Sequence, residues 1–165
     1  MLKSTLLKHP LSYVLGVMKR RNGQFNPKRK MLKVEECDFK SLAELACQAQ
    51  YGGNPEHKRN PGDFALTPPG RPRPGKSLCD SVKVFTKQEA LDLLKKGIKN
   101  GLVSDRFERQ WPKNVWSVME DETPLEAQLE LAEQGVYHGY PMQTEDPFCE
   151  EVIKQWRIRS GLSKS

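Results

Sequence analysis

Two neighbouring stretches, Asn114-Val115-Trp116-Ser117-Val118-Met119-Glu120-Asp121-Glu122-Thr123-Pro124-Leu125-Glu126-Ala127-Gln128-Leu129-Glu130-Leu131-Ala132 and Gly135-Val136-Tyr137-His138-Gly139-Tyr140-Pro141, decide the fold class. Residues 114–119 alternate and read as a strand, and Glu120-Asp121-Glu122 reads as a turn. Residues 124–132 read as the return strand, although their composition suits a helix equally well. Residues 135–140 read as a further strand that ends at Pro141.

Helices precede these strands. Asp38 is a cap for a helix to about Gln50, with Phe39, Leu42, Ala43 and Ala46 on one apolar stripe. Thr86-Lys87-Gln88-Glu89 is a capping box, with Phe85 placed to staple against Ala90. Ala90, Leu91, Leu94 and Ile98 give that helix its buried face, and Asn100-Gly101 ends it. A last helix starts at Asp146-Pro147 and buries Phe148, Val152, Ile153 and Trp156. A short amphipathic helix fits 10–20, and residues 21–30 read as a linker. The order of elements predicts an α+β fold: helices packed on a small antiparallel sheet, with one long ordered loop.

That loop is 51–76, with six Pro and five Gly in 26 positions. Neither a helix nor a central strand accepts that density. The prolines stiffen it, and a long loop of this kind in a compact domain is usually functional or disordered. The expected organisation is a basic arm over 1–33, one domain over 34–160 and a tail over 161–165.

The arm is basic because residues 1–33 hold nine Lys/Arg and no acid. The rest of the chain holds eighteen basic and twenty-one acidic residues. Such an arm suits nucleic acid, an acidic partner or an anionic surface, and equally a solvated tail. It is also acid-poor and Leu-rich like a transit peptide, and Met31 offers an alternative start. No apolar run approaches the roughly 20 residues that cross a bilayer, so no membrane span is expected. Four scattered cysteines, without a C-x-x-C pair or zinc-finger spacing, read as free thiols in a reducing cytoplasm. No metal and no cofactor are expected.

Three segments could carry chemistry. Gly70-Arg71-Pro72-Arg73-Pro74-Gly75-Lys76-Ser77 matches the phosphate-loop pattern formally. Pro72 and Pro74 remove two of the backbone donors that such a loop needs, and Pro68-Pro69 denies it the preceding strand. The second segment is the basic cluster of the same loop: His57, Lys58, Arg59, Arg71, Arg73 and Lys76. Arg forks pair with phosphate and Lys adds a point charge. The third is Tyr137-His138-Gly139-Tyr140-Pro141, where His138 sits on a strand with Tyr137 on the opposite face.

His57 and His138 are the only imidazoles of the expected domain. Two imidazoles beside Lys and Arg suffice to cleave RNA without a metal. The expected catalytic set is His57, His138, Lys58, Arg71 and Tyr140. Arg59, Arg73, Lys76 and Tyr137 would bind substrate, and RNA is the favoured partner, with an acidic protein partner as a further candidate. The alternatives are a non-catalytic subunit that binds nucleic acid or protein, and an NAD- or nucleotide-using transferase.

Tyr51-Gly52-Gly53-Asn54-Pro55-Glu56-His57-Lys58, Asn60-Pro61-Gly62-Asp63-Phe64 and Tyr137-His138-Gly139-Tyr140-Pro141-Met142 resemble segments of small, uncharacterised bacterial proteins of a compact α+β type. More loosely, the architecture is similar to ribonuclease toxins of the barnase, EndoU, colicin and RelE type. That likeness implies a toxin or phage-defence effector acting on RNA or tRNA, with His, Arg, Lys and Tyr working from a sheet face and adjoining loops.

Overall fold

The computed structural model describes residues 25–71, 77–84 and 86–161. Among them the fold is α+β. Helix α1 (Phe39–Gln48) leads into the short strand β1 (Gln50–Tyr51). Helix α2 (Lys87–Lys99) follows the long loop, and β2 (Phe107–Glu108) and β3 (Trp111–Pro112) make a small hairpin. Strands β4 (Asn114–Val118), β5 (Pro124–Leu131) and β6 (Val136–Pro141) precede helix α3 (Phe148–Arg159).

The main sheet has the order β1-β6-β5-β4. Strands β4, β5 and β6 are antiparallel neighbours, whereas β1 lies parallel to β6. The sheet is therefore mixed rather than purely antiparallel. Residues 124–131 are a strand: Val115 pairs with Ala127 and Ser117 with Leu125, so β5 fills the centre of the sheet.

Alternation gives the sheet two different faces. Val115, Ala127 and Tyr137 join Leu42, Ala46, Leu94 and Ile98 of α1 and α2 in one core. Trp116 and Val118 meet Cys149 and Val152 of α3 in a second. Helix α3 covers only part of that second face, and the uncovered part holds the cleft described below.

Caps hold the helices where the sequence places them. Asp38 accepts from the Lys40 and Ser41 amides, and Thr86 and Glu89 form the reciprocal box. Gly101 ends the run after α2 at φ 72°. The start of α3 shifts by one residue: Pro147 occupies the cap, and Asp146 Oδ1 accepts from the Phe148 amide. Phe85 and residues 10–20 lie outside the described residues.

Part of the expected linker over 21–30 and arm over 1–33 packs against the rest of the described residues. Lys30–Leu32 runs beside 103–105, with Leu32 N donating to Val103 O and Asp105 N to Lys30 O. The buried Arg159 guanidinium donates to the carbonyls of Gly101 and Leu32, tying the end of α3 to this segment. The domain thus includes at least residues 29–33.

Helix α2 crosses β4 closely because Gly97 has no side chain. A Cβ there would press into the Trp116 carbonyl and stand 2.9 Å from Val115 Cγ1. Gly97→Ala should therefore cost about 3 kcal/mol despite the better helix propensity of Ala, because neither neighbour is free to retreat. Urea denaturation of the two proteins measures this, and a stabilised variant would show that α2 is free to shift.

Candidate functional site

The strand register sets the floor of the site. On the face that α3 leaves open, Glu126 and Gln128 of β5 stand beside Tyr140 and His138 of β6 respectively. Asn114 of β4 lies next to Gln128. A row of polar side chains thus crosses three strands where an apolar stripe would have recruited another helix.

His57 arrives from above. The loop after β1 is anchored by Gly52 N, which donates to Tyr137 O at 2.8 Å. Gly53 turns the chain at φ 79°, and a Cβ there would stand 2.7 Å from the buried Phe64 ring. Asn54 caps the 3-10 turn Pro55–His57 by accepting from the Glu56 amide. That turn lays His57 over the sheet.

Three rings gather there. The centroids of His57 and His138 are 6.4 Å apart, with planes 14° from parallel. Those of His57 and Tyr140 are 4.7 Å apart at 21°. The Tyr140 hydroxyl accepts from Gln128 Nε2 at 2.6 Å. Burial, reinforced by the nearby Glu126 charge, pushes the Tyr140 phenol above its ordinary range, so it keeps its proton. All three rings line one cleft of about 330 Å³. None of the four cysteines lines it.

An ion triad closes the other end of the cleft. Arg29 Nη1 donates to Glu126 Oε2 and Asp146 Oδ2, each at 2.7 Å, and Nη2 donates to Asp146 Oδ1 at 2.6 Å. Asn114 Nδ2 donates to Glu126 Oε1 at 2.7 Å. The guanidinium lies 5.1 Å from the centre of the Phe148 ring. All three charged side chains are at most 7% exposed. Burial holds the Glu126 carboxyl above the ordinary carboxylate range, with Arg29 opposing and Asp146 adding to the shift.

No match to this chain is found among protein-family models, curated proteins or solved structures. The resemblance drawn from the three motif segments therefore rests on the residues alone.

Of the expected site residues, the cleft gathers His57, His138 and Tyr140. Lys58 is turned away. Its ammonium is 1% exposed, donates to Val84 O at 3.3 Å, stands 3.5 Å from Asp63 and lies 4.6 Å from the centre of the Phe64 ring. It pins the loop from beneath, because a buried ammonium needs an anion and acceptors. Tyr137 is fully buried on the opposite face, donating to Pro112 O at 2.8 Å with its ring edge-on to Trp111. It is a core residue, as strand alternation requires. Arg59 and Arg71 are exposed and outside the cleft wall. Arg73 and Lys76 lie outside the described residues.

The His57 ring covers one face of Tyr140. The sequence reading missed Arg29, Glu126, Asp146, Gln128 and Asn114. Glu126 and Gln128 carried a signal: they share strand parity with each other and stand opposite Tyr140 and His138. Arg29 carried none, since nothing distinguishes it from the other cations of residues 1–33. Among the described residues no group of three or more His, Cys, Asp or Glu is placed to hold a metal ion.

Arg29→Ala should destabilise the protein by about 3–5 kcal/mol at pH 7, because two buried carboxylates lose their shared cation. The sign with pH follows from Glu126. A carboxyl raised on folding takes up a proton, so stability falls as the pH rises through that window. Without Arg29 the deficit should be largest at neutral pH and shrink toward pH 4.5. Urea denaturation at both pH values measures it; removing residues 1–24, which spares Arg29, is the control.

Proposed function

We propose that the cleft is a metal-free acid–base site for cleaving RNA, with His57 and His138 as the proton carriers. The observation that carries this reading is the meeting of the two imidazoles, 81 positions apart in the chain, over one polar cleft. A hydrogen bond to oxygen spans about 2.8 Å, so rings whose centres stand 6.4 Å apart can each reach an oxygen of one phosphate group. Imidazole is the side chain that both gives and takes protons near neutral pH. The protonated Tyr140 hydroxyl stands within the same wall and offers a donor to a phosphoryl oxygen.

The phosphate-holding role expected of Lys58 is not part of this proposal. Exposed Arg59 and Arg71 suit phosphates of the strand flanking the scissile bond. Uncontrolled RNA cleavage injures the cell that performs it. A toxin or phage-defence effector of the cytoplasm, with an acidic neutralising partner over those arginines, is the biological setting this chemistry suits.

A second reading is favoured by the charge of the cleft. Its triad counts two carboxylates to one guanidinium, and its exposed cations lie outside. A non-catalytic subunit that docks nucleic acid or protein through the outer cations would need no more.

His57→Ala and His138→Ala separate the two readings. Each should lower RNA cleavage by about 10²–10⁴-fold while circular dichroism and salt-dependent RNA binding stay as in the parent. Cleavage that survives both substitutions refutes the acid–base assignment. An inactive parent that binds RNA with a steep salt dependence establishes the docking role instead.

A further inference from the structure

We infer that the two imidazoles have fixed and opposite roles: His57 is the base, His138 is the acid, and Glu130 is the residue that positions and pairs the acid. This rests on the RNA-cleavage reading above and goes beyond it by assigning direction and product.

The first observation concerns His57. Its Nδ1 lies 2.8 Å from Ser77 O. A carbonyl oxygen can only accept, so Nδ1 carries a proton whether the ring is neutral or charged. The neutral ring therefore has its lone pair on Nε2. A ring held in that tautomer is prepared to take a proton at Nε2 before it gives one.

The second observation concerns His138. Glu130 Oε2 stands 3.6 Å from its Nδ1. Glu130 continues the parity of Glu126 and Gln128, at an irregularity in the sheet. Leu129 pairs with Tyr137 and Leu131 with Val136, so residue 130 is the extra one on β5. Such a bulge re-aims a side chain, and bulges concentrate beside active sites. Here a carboxylate stands beside the His138 imidazole. An anion at that distance pairs with the imidazolium and so supports the form that donates.

Among the described residues, the other charged and titratable groups facing His138 in the cleft are His57 from the loop above, Tyr140 on its own strand, and Arg29, Glu126 and Asp146. Within the triad, the guanidinium is bound to both carboxylates. Glu130 stands within ion-pair distance of the ring.

The step balances without a cofactor. His57 Nε2 removes the proton of the ribose 2′-OH, and that oxygen attacks the adjacent phosphorus. The phosphorus–O5′ bond breaks, and the leaving O5′ takes the Nε2 proton of His138. The products are a 2′,3′-cyclic phosphate and a 5′-hydroxyl. His57 is left charged and His138 neutral, and proton exchange with solvent restores both.

Two measurements on the full chain test this. Long-range ¹H–¹⁵N spectra should show neutral His57 protonated at Nδ1. In Glu130→Gln, His138 should lose its proton at a lower pH than in the parent, with His57 unmoved. Cleavage by that variant should fall about two- to fivefold at pH 8 and hardly change at pH 5, the size expected for a half-exposed pair. A structural role for Glu130 would lower both rates together. An active parent whose neutral His57 is protonated at Nε2, or whose His138 titrates identically in Glu130→Gln, overturns the assignment of roles but keeps the nuclease. A parent that cleaves no RNA overturns both.

Discussion

One guanidinium shared between two buried carboxylates holds this fold and its cleft together. Arg29 comes from the N-terminal segment, Glu126 from the middle of β5 and Asp146 from the turn before α3. Each carboxylate alone would cost several kcal/mol to bury, and together they would repel. Their burial is tolerable only with Arg29 in place. A segment that would otherwise trail from the domain is therefore drawn into it, and the start of α3 is fixed against the sheet. The open patch of sheet between Arg29 and His57 is what becomes the cleft.

The parity of β6 does the rest. Tyr137 goes down into the core and His138 and Tyr140 come up into the cleft. Gly139 makes that arrangement possible. Its amide N–H donates to Tyr51 Oη at 2.8 Å, and a Cβ there would stand 3.2 Å from Glu126 O. Tyr51 thereby ties β1 to β6, and β1 launches the loop that carries His57. Phe64, edge-on to Tyr51 with ring centres 5.9 Å apart, and Lys58 above its ring then hold that loop down. The Lys-His pair in Glu56-His57-Lys58 thus splits its work. One side chain enters the cleft and its neighbour is spent beneath the loop.

Local patterns in the sequence were readable where local physics decides. The capping box at Thr86, the cap at Asp38 and the alternation of 114–119 and 135–140 all depend on residues a few positions apart. The strand 124–131 was ambiguous because its composition also suits a helix, and only pairing on both edges decides it. The meeting of His57 with His138 was readable as a bet on two unusual segments. Arg29 was not readable at all. A cation among cations reveals its burial only when its partners, 97 and 117 positions away, are known. The basic loop misled for the converse reason. Charge density along a chain says nothing about which side of a loop each side chain takes.

The electrostatics of the cleft argue for a division of labour. Among the described residues, Arg29, Glu126, Asp146 and Glu130 count three carboxylates to one guanidinium beside the two imidazoles. On the RNA-cleavage proposal, such a wall would not attract a phosphodiester, and attraction would come from outside it, where Arg59 and Arg71 are exposed. Binding at such remote phosphates would act equally on the ground state and the transition state, and would raise affinity rather than the rate of bond cleavage. What the cleft itself would supply under that proposal is favourable only when charge moves: a base at His57, an acid at His138, and a phenol that keeps its proton. On the RNA-cleavage proposal, a site that does not attract the resting phosphate yet stabilises proton transfer around it would gain its selectivity for the transition state from that contrast.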